Sequence, residues 1–178
     1  MLDVSGMVLA AAGLARLRTG ALALDARTPQ QVEVISGAFM LVRRTLWERL
    51  GGFDERFFMY TEEVDLCKRI ANAGYELWAD PSIVMIHDAG SGDPDNPRKR
   101  LQNLRGNATF YRKHYPPIAA SIGCIAMLAN ETIRLIYART LLRAIKPMRA
   151  KSLGDRCAYA LQHRAEWWMG WPPGMKFD

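Results

Sequence analysis

At Arg98 the sequence changes character, and that break limits the folds open to the chain. Up to residue 97, short apolar runs and short helical patterns alternate between glycines and prolines, as they do in an α/β unit. Beyond it, three long helical patterns follow one another closely. The charge changes at the same place. Residues 1–97 carry 9 Lys+Arg against 14 Asp+Glu, a net −5, and residues 98–178 carry 15 against 4, a net +11. We therefore divide the chain into an α/β part, 1–97, and a basic helical extension, 98–178. A cationic region of this kind is drawn to anionic headgroups, nucleic acid or polyanionic substrates. A solvated arginine-rich surface is the plainer alternative.

Hydrophobic residues make up 49% of the 178, so a packed core is expected and a disordered chain is excluded. Cys67, Cys124 and Cys157 are odd in number, widely spaced and never form CxxC. That argues against a disulfide scaffold and a cysteine zinc site, and for a cytoplasmic protein. The apolar run from Met7 to Ala15 is preceded by Asp3 and no basic residue, which is wrong for a secretory signal. No stretch of about 18 apolar residues is free of charge, so no ordinary membrane-spanning helix is expected.

Residues 31–36 alternate and are rich in Val and Ile, which predicts a strand; 38–42 reads as a buried strand after the Gly37 break. Thr45 and Glu48 have capping-box spacing before a short helix stopped by Gly51-Gly52. Thr61-Glu62-Glu63 opens a second helix, since acids suit the positive end of the macrodipole, and Gly74 caps it. Short strands are expected at 75–78 and 83–86. The extension predicts helices over 98–114, 118–145 and about 152–169. In the second, the apolar stretch ends at Asn130 and Glu131, too short to cross a bilayer.

The densest chemical group is Asp54, Glu55, Glu62, Glu63 and Asp65, five carboxylates within twelve positions, followed by His87. Crowded carboxylates raise one another's proton affinity, and one poised that way can take a proton from a hydroxyl. Helix capping and surface charge explain the same acids without chemistry. His87, at the end of an apolar run, can ligate a divalent metal or simply hydrogen-bond at a strand end. His114 and His163 have no acidic cluster near them in sequence. Asp93-Pro-Asp95 has DxD spacing but lies in a Gly/Pro-rich loop, and reads as loop. GxGxxG, P-loop and GxSxG patterns are all absent.

Five motifs in order carry a resemblance. They are Ser36-Gly-Ala-Phe-Met-Leu-Val-Arg-Arg44, Leu50-Gly-Gly-Phe-Asp-Glu-Arg-Phe-Phe-Met-Tyr60, Glu62-Glu-Val-Asp-Leu-Cys67, Ala73-Gly-Tyr75 and Val84-Met-Ile-His87. Together they resemble the second half of family 2 glycosyltransferases, nearest the rhamnosyltransferase-like branch of bacterial surface polysaccharide synthesis. The resemblance implies a partial GT-A fold, a Rossmann-like α/β sandwich, over about residues 2–115. It also implies sugar transfer from a nucleotide-diphosphate donor to an acceptor hydroxyl, with Mg2+ or Mn2+. Residue by residue it makes Glu63 the catalytic base, where many relatives carry Asp. Glu62, Gly37 and Asp54 fall on the substrate-binding side, and His87 becomes a metal ligand.

The family's donor-binding first half has no counterpart in the sequence. Three expectations follow: a chain truncated before that half, a separate partner that supplies it, or a non-catalytic remnant acting as a scaffold. Expected substrates are a nucleotide sugar and a glycan or lipid-linked acceptor. In the extension, Arg134, Arg139 and Arg143 with Trp167, Trp168 and Trp171 suit an anionic membrane surface at the inner face, or a helical extension packed on the catalytic part. Nucleic acid is not an expected partner, because the tail's aromatics are mostly apart from its densest arginines.

Overall fold

The structure is a computed structural model, and it describes residues 28–85 and 96–171. His87, Asp93, Asp95 and the apolar run at 7–15 lie outside the described residues. In chain order the elements are β1 (Gln30–Gln31), α1 (Arg44–Leu50), α2 (Glu62–Asn72), β2 (Trp78–Ala79), α3 (Pro97–His114) and α4 (Pro117–Tyr137). The helix continues from α4 through a π turn, Ala138–Leu142, to Ile145, and α5 (Pro147–Gln162) and α6 (Arg164–Trp168) complete the series.

The described part is mainly helical, and its sheet is smaller than the sequence predicts. β1 pairs antiparallel with β2, Gln30 opposite Ala79 and Gln31 opposite Trp78. One further bond, Val32 N–H to Leu77 O at 2.9 Å, extends the pairing. The expected strand over 38–42 is a turn, closed by Phe39 N–H on Ser36 O, followed by irregular chain. Residues 83–85 form no strand either. Val-Ile-Met runs satisfy strand propensity, but a strand needs a neighbour for its N–H and C=O groups, and these segments have none among the described residues.

Helix boundaries were far more legible. Gly51 ends α1 in the left-handed region at φ 74°, where a side chain would be strained, and takes bonds to Glu48 O as Gly52 does to Trp47 O. The capping box is not formed. Thr45 lies inside α1, and the Glu48 carboxylate instead accepts from Arg44 Nε at 2.7 Å. Asn96 caps α3 by accepting from Arg98 N–H, with Pro97 in the first turn. Pro117 opens α4 and Pro147 opens α5, five residues ahead of the expected start.

Two apolar cores form. Val32, Val34, Leu46, Leu66, Cys67, Ile70 and Leu77 make one. Leu101, Leu104, Phe110, Cys124, Met127, Ala160 and Trp167, with Phe57, anchor the other between α3, α4, α5 and α6. Val64 packs against both, so α2 is the hinge pin between them.

A buried acid holds α2 in that place. Asp65 is fully buried, and its Oδ1 accepts from Lys113 Nζ at 2.6 Å and from His114 Nε2 at 2.7 Å, both on α3. Its Oδ2 accepts from Arg69 Nε at 2.8 Å. Arg69 reaches on to the carbonyls of Leu50 and Gly52 at the end of α1. His114, without an acidic neighbour in sequence, therefore has one in space. Burial pushes the Asp65 carboxyl up, but the bonds from His114, Lys113 and Arg69 outweigh it and hold the group below its ordinary value.

Removing that charge while keeping its shape leaves Lys113 and Arg69 buried and underpaired. Asp65→Asn should cost about 3–5 kcal/mol of stability in denaturant titration. Because the folded value lies below the ordinary 3.8, the group's contribution is complete above that pH and is lost as pH falls through the folded value. The difference between wild type and Asp65→Asn should shrink on acidification.

Candidate active site

The acidic pair sits where a strained loop turns into α2. Tyr60 and Thr61 both have positive φ, 65° and 74°, although neither is glycine. Such a conformation costs about 1–3 kcal/mol per residue and persists only when the surroundings impose it. Here α3 imposes it. A Cβ on Gly106 would lie 2.6 Å from Tyr60 O and 2.8 Å from Thr61 Oγ1, so only glycine lets the helix approach so closely. The buried Thr61 hydroxyl then donates to Asn107 Oδ1 at 3.2 Å.

Glu62 and Glu63 follow at once, both half-buried, and each has one buried carboxylate oxygen without a hydrogen-bond partner. Burial raises the Glu63 carboxyl above its ordinary value of 4.5, and the neighbouring Glu62 charge adds to the rise. Backbone N–H groups of Glu63 and Thr61 pull the other way without cancelling it. This is the direction the crowding predicts. Gly37 faces the same side chain: a Cβ there would stand 3.5 Å from Glu63 Cβ, in ordinary contact. The Gly37 turn and Glu63 are thus brought together. Cys67, one turn along α2, is fully buried, accepts weakly from Ile35 N–H at 3.4 Å, and its thiol is pushed up by burial and then by Glu63.

Asp54 has different company. It accepts from Arg56 and, at 2.6 Å, from Lys113 Nζ, the ammonium that also bonds Asp65. The Arg56 hydrogen bonds, against some burial and with help from Lys113, hold its carboxyl far below the ordinary range. Asp65 stands two positions after Glu63, about 200° round the helix, so this ion-pair network occupies the other side of α2 from the Gly37 turn. The predicted site residues therefore divide: Glu63 faces the Gly37 turn, Glu62 precedes it at the start of α2, and Asp54 lies with the cations on the other side.

Among the described residues, no three His, Cys, Asp or Glu side chains stand close enough to hold a metal ion. A cleft of about 590 Å3 opens between the 40–43 segment, the end of α2 and β2, lined by Met40, Leu41, Tyr75 and Trp78 among others. Its one carboxylate is Glu76, and none of Asp54, Glu62, Glu63 and Asp65 lines it, so it does not define the chemistry. Sequence reading missed Gly106, Lys113 and His114. A glycine inside a helical pattern was the only available signal for the first, and nothing local signals the other two.

Over 67 residues the chain is 40% identical to N-acetylglucosaminyl-diphospho-decaprenol L-rhamnosyltransferase of Mycobacterium tuberculosis, covering 38% of this chain and 22% of that protein. Over 58 residues it is 45% identical to rhamnosyltransferase WbbL of Escherichia coli strain K12, covering 33% and 22%. The match thus spans about a fifth of the length of these curated relatives. No family model and no solved structure matches the chain. The likeness supports a glycosyltransferase kinship, and the GT-A sandwich remains an expectation from the motifs.

Gly106→Ala should disrupt the packing of α3 on the Tyr60-Thr61 loop, because a methyl group 2.6 Å from a carbonyl oxygen forces one of them to move. The expected cost is about 1–3 kcal/mol in denaturant titration, the range for overpacking. Gly37→Ala meets only ordinary contact and should cost less.

Proposed function

We propose that this chain is the acceptor-side, base-bearing part of a glycosyltransferase of the rhamnosyltransferase kind, working in bacterial surface polysaccharide synthesis. The observation that carries the reading is the half-buried Glu62–Glu63 pair, each with an unpartnered oxygen, in which Glu63 has a raised carboxyl and stands against the Gly37 turn. The partial identity to two rhamnosyltransferases supports the reaction class.

In the proposed step, the Glu63 carboxylate accepts the proton of the acceptor hydroxyl as that oxygen attacks the sugar's anomeric carbon. A new glycosidic C–O bond forms, and the bond from the anomeric carbon to the diphosphate oxygen breaks. The nucleoside diphosphate leaves with the bonding electrons. Burial makes Glu63 a stronger base than an exposed glutamate, and Glu62 strengthens it further. Glu62 and the Gly37 turn would border the acceptor. Asp54, already bound by Arg56 and Lys113, would hold the wall behind them. The name of the mycobacterial relative makes a lipid-linked diphosphate sugar the acceptor class to try first. The donor site belongs to a nucleotide-binding half, in a longer form of the chain or a separate partner. A Mg2+ or Mn2+ ion belongs to the proposal through His87 alone, since the described residues do not form a set that fits one.

In the enzyme with its donor-binding half, Glu63→Gln should abolish transfer while donor binding persists, measured by product formation and nucleotide-sugar titration. The rate should rise with pH through an inflection above the ordinary 4.5, because the base must be ionised and its proton affinity is raised. Glu62→Gln removes a like charge and should move that inflection down. Undiminished transfer by Glu63→Gln would defeat the base assignment.

A further inference from the structure

The helix over Pro117–Ile145 is 29 residues long and, by length and composition, apolar enough to cross a membrane, contrary to the expectation that Asn130 and Glu131 end its apolar stretch. Glu131 does not interrupt it, because its side chain turns inward, is fully buried and pairs with Arg100 of α3. The inward face begins with small residues, Ala119, Ala120, Gly123 and Cys124, and continues with Met127 and Glu131, against α3 and α5.

The outward face is a row of isoleucines. Ile118, Ile122, Ile125, Ile133 and Ile136 are 78%, 45%, 55%, 64% and 57% exposed, and exposed Ala129 fills the gap. Their spacings of three and four residues put them on one side of an α-helix. The π turn then keeps the row straight. It adds about one residue to a turn, so the five-residue step from Ile136 to Leu141 stays on the same side, and Ile145 follows four later. From Ile118 to Ile145 the row runs about 40 Å.

Its far end is cationic. Residues 132–151 contain six Lys+Arg and no Asp or Glu. Two clefts at the corner between the π turn and α5 are lined by these cations. Lys146 and Arg149, with Arg156, border one of about 660 Å3, and Arg139, Arg143 and Lys151 border one of about 280 Å3 that also includes Asp155. The tryptophans expected at a headgroup interface are not part of this surface. Trp167 is fully buried with its indole N–H on Ala160 O, and Trp171 packs beneath Arg105.

We propose that the isoleucine row of α4 lies on an anionic bilayer, with the basic corner beside it holding lipid headgroup phosphates. The occupant follows from charge and from the geometry of the opposite face. A spanning helix would carry its packed neighbour α3 into hydrocarbon, with Arg98, Lys99, Arg100, Arg112 and Lys113, which is prohibitively costly. A helix covered on one side by a charged bundle and apolar on the other can bury only its open face, in the interfacial plane. The cations at the corner can then reach phosphates while their stems stay with the apolar surface.

The test is co-sedimentation of the full chain with phosphatidylcholine vesicles, and with vesicles that also contain phosphatidylglycerol. Binding to the anionic vesicles, weakened by salt and released by alkaline carbonate, is expected. Replacing Ile125 and Ile133 together by Ser should weaken it at least about tenfold, since each removes a half-exposed apolar side chain from the contact. Both positions are exposed, so helicity by circular dichroism should be unchanged. Arg139→Glu with Arg143→Glu should abolish the preference for phosphatidylglycerol. Binding that survives the isoleucine pair, equal binding to neutral vesicles or resistance to carbonate would each overturn the proposal. So would concentration-dependent self-association, lost in the isoleucine pair, without vesicle binding.

Discussion

A single buried carboxylate holds the two halves of the described structure together. Asp65 takes an ammonium and an imidazole from α3 on one oxygen and a guanidinium from its own helix on the other. Through Arg69 the same contact reaches the carbonyls that end α1. Buried ions are poor sources of net stability but strict about geometry, since a misplaced partner leaves a charge uncompensated. The rotation of α2 is therefore set, and with it the direction in which Glu62 and Glu63 point. Burial places Glu63 in low dielectric, while Lys113, His114 and Arg69 pair with Asp65 on the other side of the helix.

What could be read in the sequence follows the range of the forces involved. Helix ends are local: Gly51, Gly74, Asn96-Pro97 and the prolines at 116, 117 and 147 act on their own turns, and most of the helix boundaries they set were recovered. Strands depend on partners, and Ala38 to Val42 shows a β-like sequence without a strand. The acidic pair was legible as a cluster. Its asymmetry was only half legible: Arg56 and Arg69 are local partners of Asp54 and Asp65, but Lys113 and His114 come from α3, about fifty residues further on. Gly106 belongs to the same class, a residue whose importance lies in a carbonyl 46 positions earlier in the chain.

The extension shows how composition can mislead in two directions. Trp167 and Trp171, read as interfacial, are buried, and Trp168 is partly buried against the same core; an indole fills more volume between helices than any other side chain, and the Trp167 N–H finds a carbonyl. The apolar helix, read as interrupted by Glu131, is continuous, because the charge is paired inside the bundle. Inward small residues and outward isoleucines cannot be told apart by hydropathy alone. Only the packing of α3 and α5 decides which apolar face is spent on folding and which is left for another surface.

Two acids of opposite character, Glu63 and Asp65, stand two residues apart on one helix. Carbon-13 nuclear magnetic resonance of the labelled carboxyl groups, followed through an acid titration, reads both directly. Glu63 should titrate above 4.5 and Asp65 should stay ionised below 3.8. Glu63 and Asp65 both titrating at their ordinary values would contradict the account, because α2 would then hold neither a buried anchor nor a poised base.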